Sequence, residues 1–85
     1  MSEYICNLSL RVRQPSEAYR IRDAIRKFLS DHDDCEVTSC GRSCIDPTVT
    51  DIEIRVKSRR IANRVVNAVR SAYARSCEID AEMIA

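Results

Sequence analysis

Apolar and polar positions alternate along residues 4–13. Tyr4, Cys6, Leu8, Leu10 and Val12 fall on one side, and Asn7, Ser9, Arg11 and Arg13 fall on the other. A period of two predicts a strand with one buried face. Gln14 and Pro15 break it, with Ser16 as a cap or Pro15 as the first helical residue. Ala18, Ile21, Ile25, Phe28 and Leu29 then recur at helical spacing, predicting a helix over 15–32. It should stop where Asp31, Asp33 and Asp34 oppose the negative end of the helix dipole. Residues 35–40 read as a short strand with Val37 inward, ended or bulged by Gly41, the one glycine. The stretch 41–48, with Pro47, reads as irregular.

In the second half, Ile52, Ile54 and Val56 alternate with Asp51, Glu53 and Arg55, predicting a strand over 49–57. Ser58 should cap a helix over 58–76, with Ile61, Ala62, Val65, Ala68, Val69 and Ala72 as its core stripe. Cys77, Ile79, Ala81 and Met83 alternate with Glu78, Asp80 and Glu82 over 77–83. That pattern gives a fourth strand, with a frayed continuation of the helix as the alternative. The order β-α-β-β-α-β predicts an α+β sandwich of the ferredoxin-like kind. Its antiparallel sheet should have the order 4-1-3-2, with both helices on one face. Expected cross-strand neighbours are Arg13 with Glu78 and Arg11 with Asp80.

The charge is segregated by element. The two predicted helices carry nine of the fourteen basic residues and three of the thirteen acids, a balance of +6 against −5 for the rest. The expected fold therefore has a basic helical layer and an acidic sheet. Arginine dominates, Lys27 and Lys57 being the only lysines, and its planar donor fork suits carboxylates and phosphates. Arg22, Arg26, Arg60, Arg64 and Arg70 are the candidate docking residues of the helical face. Asp51, Glu53, Glu78, Asp80 and Glu82 are the alternative acidic face on the sheet. Related topologies that bind RNA stack bases on aromatics of the central strands. Here those outward positions are Asn, Ser, Arg, Asp and Glu, so RNA recognition by the sheet face is not expected; a protein partner for the helical face is, with nucleic acid an indirect contact and direct binding by the arginines the weaker alternative.

Eighty-five residues give one domain, 1–85, with one modest core and no room for a deep substrate cavity. No stretch has signal-peptide character or approaches the roughly 20 apolar residues of a membrane span, so a cytoplasmic protein without membrane contact is expected. The five cysteines, odd in number and irregularly spaced, are expected to be reduced. His32, Cys35, Cys40 and Cys44 could supply four metal ligands. Their spacing lacks the repeated pairs of a zinc knuckle, so no metal and no cofactor is expected. One glycine excludes a glycine-rich phosphate loop, and no nucleophile–base constellation stands out, so a non-enzyme is expected. The strand at 35–40 has one acid, no lysine and no proline, and such an edge invites a homodimer through strand pairing.

The string Leu8-Ser-Leu-Arg-Val-Arg-Gln-Pro-Ser-Glu-Ala18 resembles the opening of the small dimerising subunit of the KEOPS complex, which modifies tRNA. Ile52-Glu-Ile-Arg-Val-Lys-Ser58, with the helical Val65-Val-Asn-Ala-Val-Arg-Ser71, is similar to its second half. The Asp-His-Asp-Asp stretch, the many arginines and the possible fourth strand depart from that family. The resemblance implies a non-catalytic subunit that dimerises and docks on a catalytic partner through its helices. Three function classes stand open: an adaptor or small subunit, of a tRNA-processing assembly in its KEOPS-like form, and, from the acidic sheet face, a phage-type inhibitor that blocks a nucleic-acid-handling complex. A cysteine-based metal-responsive protein is the third.

Overall fold

The computed structural model describes residues 3–84. The elements run β1 (Tyr4–Arg11), α1 (Pro15–Leu29), β2 (Glu36–Arg42), β3 (Val49–Val56), α2 (Arg59–Tyr73) and β4 (Glu78–Met83). The four strands form one antiparallel sheet in the order β2-β3-β1-β4, which counted from the other edge is 4-1-3-2. Period-two alternation places Cys6, Leu8 and Leu10 of β1 and Ile52, Ile54 and Val56 of β3 on a single covered face. Ala18, Ile21, Ile25 and Leu29 of α1 and Ala62, Val65, Val66 and Val69 of α2 close over it, forming one core.

Helix ends follow local chemistry. α2 begins at Ser58, whose Oγ accepts the Ile61 N–H at 3.2 Å. It ends because the N–H groups of Ser76 and Cys77 both turn back to the Tyr73 carbonyl, at 3.0 and 3.1 Å. That turn releases 78–83 as a strand and removes the alternative of a continued helix. α1 stops at Leu29, short of the expected His32. Ser30 donates from its hydroxyl to the Lys27 carbonyl at 2.6 Å, and its N–H goes to the Arg26 carbonyl. Asp34 then takes the left-handed conformation at φ 60°, which an aspartate tolerates, and directs the chain into β2.

Four expectations are corrected. Gly41 neither ends nor bulges β2; the strand runs through it to Arg42. The irregularity sits between Val37 and Ser39. There the Thr38 hydroxyl lies 3.2 Å from the Glu53 carbonyl and 3.0 Å from Glu53 Oε1, so side-chain bonds take the place of a ladder step. The register of β1 with β4 is displaced by two residues, pairing Arg11 with Glu78 and Ser9 with Asp80. β1 ends at Arg11, leaving Arg13 outside the sheet. Finally, α2 is rotated about its axis. Val66 is buried at 8% exposure, while Ala68 and Ala72, expected in the core stripe, are exposed. The sheet is covered by Ala62, Val65, Val66 and Val69, while Ala68 and Ala72 line the gap between the helices.

Candidate functional site

The sheet and the helical layer treat their charges differently. On the open face of the sheet, each central cation is bracketed by two carboxylates. Arg11 lies 3.2 Å from Asp46 and 3.5 Å from Glu78. Arg55 lies 3.4 Å from Glu3 and 3.1 Å from Glu36. Asp51 accepts from Ser9 Oγ at 2.8 Å and Asn7 Nδ2 at 3.3 Å, and Glu53 accepts from Thr38. Asp80 and Glu82 stand opposite Ser9 and Asn7 on the edge strand. Most of the predicted acidic face is thus engaged by the chain's own donors, and Asp80 and Glu82 are its least engaged members. Such exposed pairs hold geometry more than stability, each being worth about 0–1 kcal/mol.

The five helical arginines do not form one patch. Arg22 is half-buried, bonded to Asp23 at 3.0 Å, with its guanidinium 5.0 Å over the Tyr19 ring. Its charge is compensated within the helix. Arg26 is exposed in the last turn of α1, close enough to the β2 edge for its charge, with that of Arg22, to act on the Cys40 thiol. Arg60 and Arg64 are one turn apart on the exposed crest of α2. Arg70 is exposed over β4 and lines a hollow with Cys77, Glu78, Ile79 and Asp80. Among the described residues, Arg26, Arg60, Arg64 and Arg70 make no ion pair, and neither do Arg20 and Lys27 on the outer side of α1.

Between the helices the surface is apolar. A hollow of about 190 Å³ is lined by Ala24, Phe28, Val65, Ala68, Ala72 and Tyr73, with Ile25 and Val69 below. The sequence signal for it was present in the alanines at one-turn spacing. Alanine fits a core stripe equally well, so only the observed rotation of α2 separates the two.

The cysteines do not assemble a site. His32 packs against the Phe28 ring at 5.5 Å between centroids. Cys35 precedes β2, Cys40 faces the core side, and Cys44 is exposed in the following loop. Among the described residues, no three His, Cys, Asp or Glu side chains gather as metal ligands. All five thiols are free. Burial pushes the Cys6, Cys40 and Cys77 thiols up, with Arg22 and Arg26 pulling Cys40 partly back and Glu17 reinforcing Cys77. A thiol reagent at pH 8 is therefore expected to label Cys44 first and Cys6 and Cys77 at least about tenfold more slowly, since they react only on opening of the fold. Mass spectrometry of partially labelled protein checks this order; equal labelling of Cys6 and Cys44 would refute the packing of β1.

Asp46 organises the loop before β3. Its carboxylate accepts from the Thr48 hydroxyl at 2.7 Å and the Thr48 N–H at 2.9 Å. Those bonds, with Arg11 nearby, hold its pKa below the usual value. A depressed folded-state pKa gives stability that is present above the unfolded value, about 3.9, and fades as pH falls through the lower folded value. Asp46→Asn is expected to flatten that acid-side decline in a series of thermal melts between pH 6 and pH 2. An unchanged slope would show that Asp46 contributes nothing to it.

β2 forms one edge of the sheet and β4 the other. The β2 edge is less open than its composition implies, because the bulge at Thr38 interrupts the row of groups a second strand would need. No helix of the described residues is long and apolar enough to cross a membrane.

No family model and no curated protein matches the sequence. Among solved structures, the de novo designed protein Foldit4 is similar, with a TM-score of 0.71 at 14% identity, covering 99% of this chain and 98% of that one. At that identity the likeness concerns the fold.

Proposed function

We propose that this protein is a non-enzymatic docking module, a ferredoxin-like adaptor or small subunit of a cytoplasmic assembly. Its helical layer binds an acidic surface of a protein partner. The observation that carries the reading is the contrast in charge compensation. Arg11 and Arg55 on the sheet are each held between two carboxylates, whereas Arg60 and Arg64 on α2 stand exposed with no ion pair among the described residues. Unpaired arginines on a rigid helix retain their donors for a partner's carboxylates and steer its approach. A second support is local. The first turn of α2 holds Arg59 and Arg60 and no acid, against the preference of a helix N-terminus. Arg59 stands 5.9 Å over the Tyr4 ring, so Arg60 is the residue that breaks the local rule without an internal partner, and such residues are where function is expected. A KEOPS-type subunit is the most specific form of the reading and rests on the sequence resemblance alone.

The inhibitor reading draws on Asp80 and Glu82, the sheet-face acids with no partner among the described hydrogen bonds and ion pairs. One experiment separates the two. The tagged protein is used to capture partners from a lysate of its source cell, with and without nuclease. It is compared with Arg60→Glu/Arg64→Glu/Arg70→Glu and with Glu53→Lys/Asp80→Lys/Glu82→Lys, each first shown to be folded by circular dichroism. Loss of capture in the arginine variant alone, insensitive to nuclease, supports the docking module. Loss in the carboxylate variant alone overturns it in favour of the inhibitor.

A further inference from the structure

The hollow between α1 and α2 has a particular charge setting. Ala24, Ala68 and Ala72 leave its floor low and exposed, with Phe28 and Tyr73 as aromatic walls. Cations lie one turn away along the exposed surface of each helix. Arg20 and Lys27 are four residues before and three after Ala24, and Arg64 is four before Ala68. All three are exposed and without an ion pair among the described residues. The valley is apolar in the middle, with two cations of α1 and one of α2 a turn from its floor. Of the two acids in α1, Asp23 is bonded to Arg22. The other, Glu17, lies two turns before Ala24, half-buried and close enough to the Cys77 thiol for its charge to act there.

We infer that this valley seats one amphipathic helix of the protein partner, with an apolar stripe on Ala24, Ala68 and Ala72 and carboxylates alongside reaching Arg20, Lys27 and Arg64. This deepens the docking reading and rests on it. A helix presents its apolar anchors at i, i+3, i+4 and i+7, which suits a shallow linear groove between two helices. At about 190 Å³ the hollow exceeds the roughly 150 Å³ apolar cavity that holds a benzene ring, so it has room for one leucine or phenylalanine of that stripe. Such a side chain, desolvated at the centre with charges around it, is the usual form of an interface anchor. A second copy of this chain is a poor occupant, since it would set Arg20, Lys27 and Arg64 against the same residues. A lipid surface is a poor fit because the apolar floor is recessed between the charged crests.

The test is a titration of the isotope-labelled full chain, followed by amide chemical shifts. The probe is an 18-residue blocked helical peptide with leucines at i, i+3, i+4 and i+7 spacing, glutamates beside them and alanines opposite. Its counterpart carries lysine in place of glutamate. Phosphatidylserine vesicles and a single-stranded RNA are parallel arms. The expected result is saturable shifts centred on Ala24, Phe28, Ala68 and Ala72 with the glutamate peptide, at least tenfold weaker binding of the lysine peptide, and at least tenfold weaker binding by Ala68→Glu. Asn63→Ala, at an exposed position of α2 outside the lining of the groove, should bind as the wild type does. Shifts centred elsewhere, equal binding of the two peptides, or a response to vesicles or RNA without one to the glutamate peptide would overturn the inference. Cellular partners captured by Ala68→Glu but lost by the arginine variant would leave the docking reading standing and remove the groove. Partners retained by the arginine variant would remove the docking reading, and the peptide titration would still judge the groove.

Discussion

Leu8→Ala is expected to lower the unfolding free energy by about 3–5 kcal/mol, a large part of the total. A domain of this length has on the order of 5–10 kcal/mol in all. Leu8 is fully buried, at 0% exposure, on the strand that occupies the sheet interior. It stands between Ile52 of β3 and Ala81 of β4, under the helical layer. Deleting the isopropyl end of its side chain leaves a void that cannot collapse from either side, because β1 is hydrogen-bonded on both edges. Urea unfolding followed by circular dichroism reads the effect as a lower midpoint at similar slope. Leu8→Met, which conserves volume, should cost less than about 1.5 kcal/mol. A Leu8→Ala protein as stable as the wild type would show that β1 is not the centre of the core.

Arg60→Glu is expected to move stability and binding in opposite directions. Arg60 sits in the first turn of α2, next to Arg59 and with no acid in that turn. The unpaired N–H groups there carry the positive end of the helix dipole, which an arginine opposes and a glutamate complements. Each effect is worth about 0.3–1 kcal/mol, and together they should raise the melting temperature by roughly 2–16 °C for a domain this small. The same change places a carboxylate where an acidic partner must approach. With Arg64→Glu added one turn away, affinity for the captured partner should fall by about two orders of magnitude, most of the effect of Arg60→Glu appearing in the association rate and in its salt dependence. Thermal melts and surface-immobilised kinetics of the same preparations measure both. A variant that melts higher and still binds would end the docking reading. One that melts lower would end the dipole account of why these arginines are out of place.

The lower sensitivity expected on the valley floor belongs to the same picture. Ala68→Ser changes an exposed position by one hydroxyl, so it should leave the unfolding free energy within about 0.5 kcal/mol of the wild type. It is therefore a usable control for Ala68→Glu, where charge is the variable.

How far the sequence reached is clearest at β1 and α2. Alternation in Leu8-Ser9-Leu10 determined which side of β1 is buried, and Ser58 determined where α2 starts, because both depend on residues a few positions apart. The charge division between helices and strands was legible for the same reason: charge belongs to the residue and the face to the local period. The register of β1 against β4 was not legible. A slip of two residues leaves every side chain on its face, so the hydrophobic pattern cannot distinguish Arg11 beside Glu78 from Arg11 beside Asp80. The bulge at Thr38 depends on Glu53, fifteen residues away, and Gly41 was misread because a glycine permits a bulge without requiring one. The rotation that buries Val66 and exposes Ala68 and Ala72 was settled by which side chains the twisted sheet could accept. The candidate site follows that division: its arginines were visible along the chain, and the apolar valley between them exists only because two helices distant in sequence pack side by side. Short-range periodicity is a property of neighbouring residues, whereas register, rotation and ion pairing are set by contacts between segments that meet only in the folded chain.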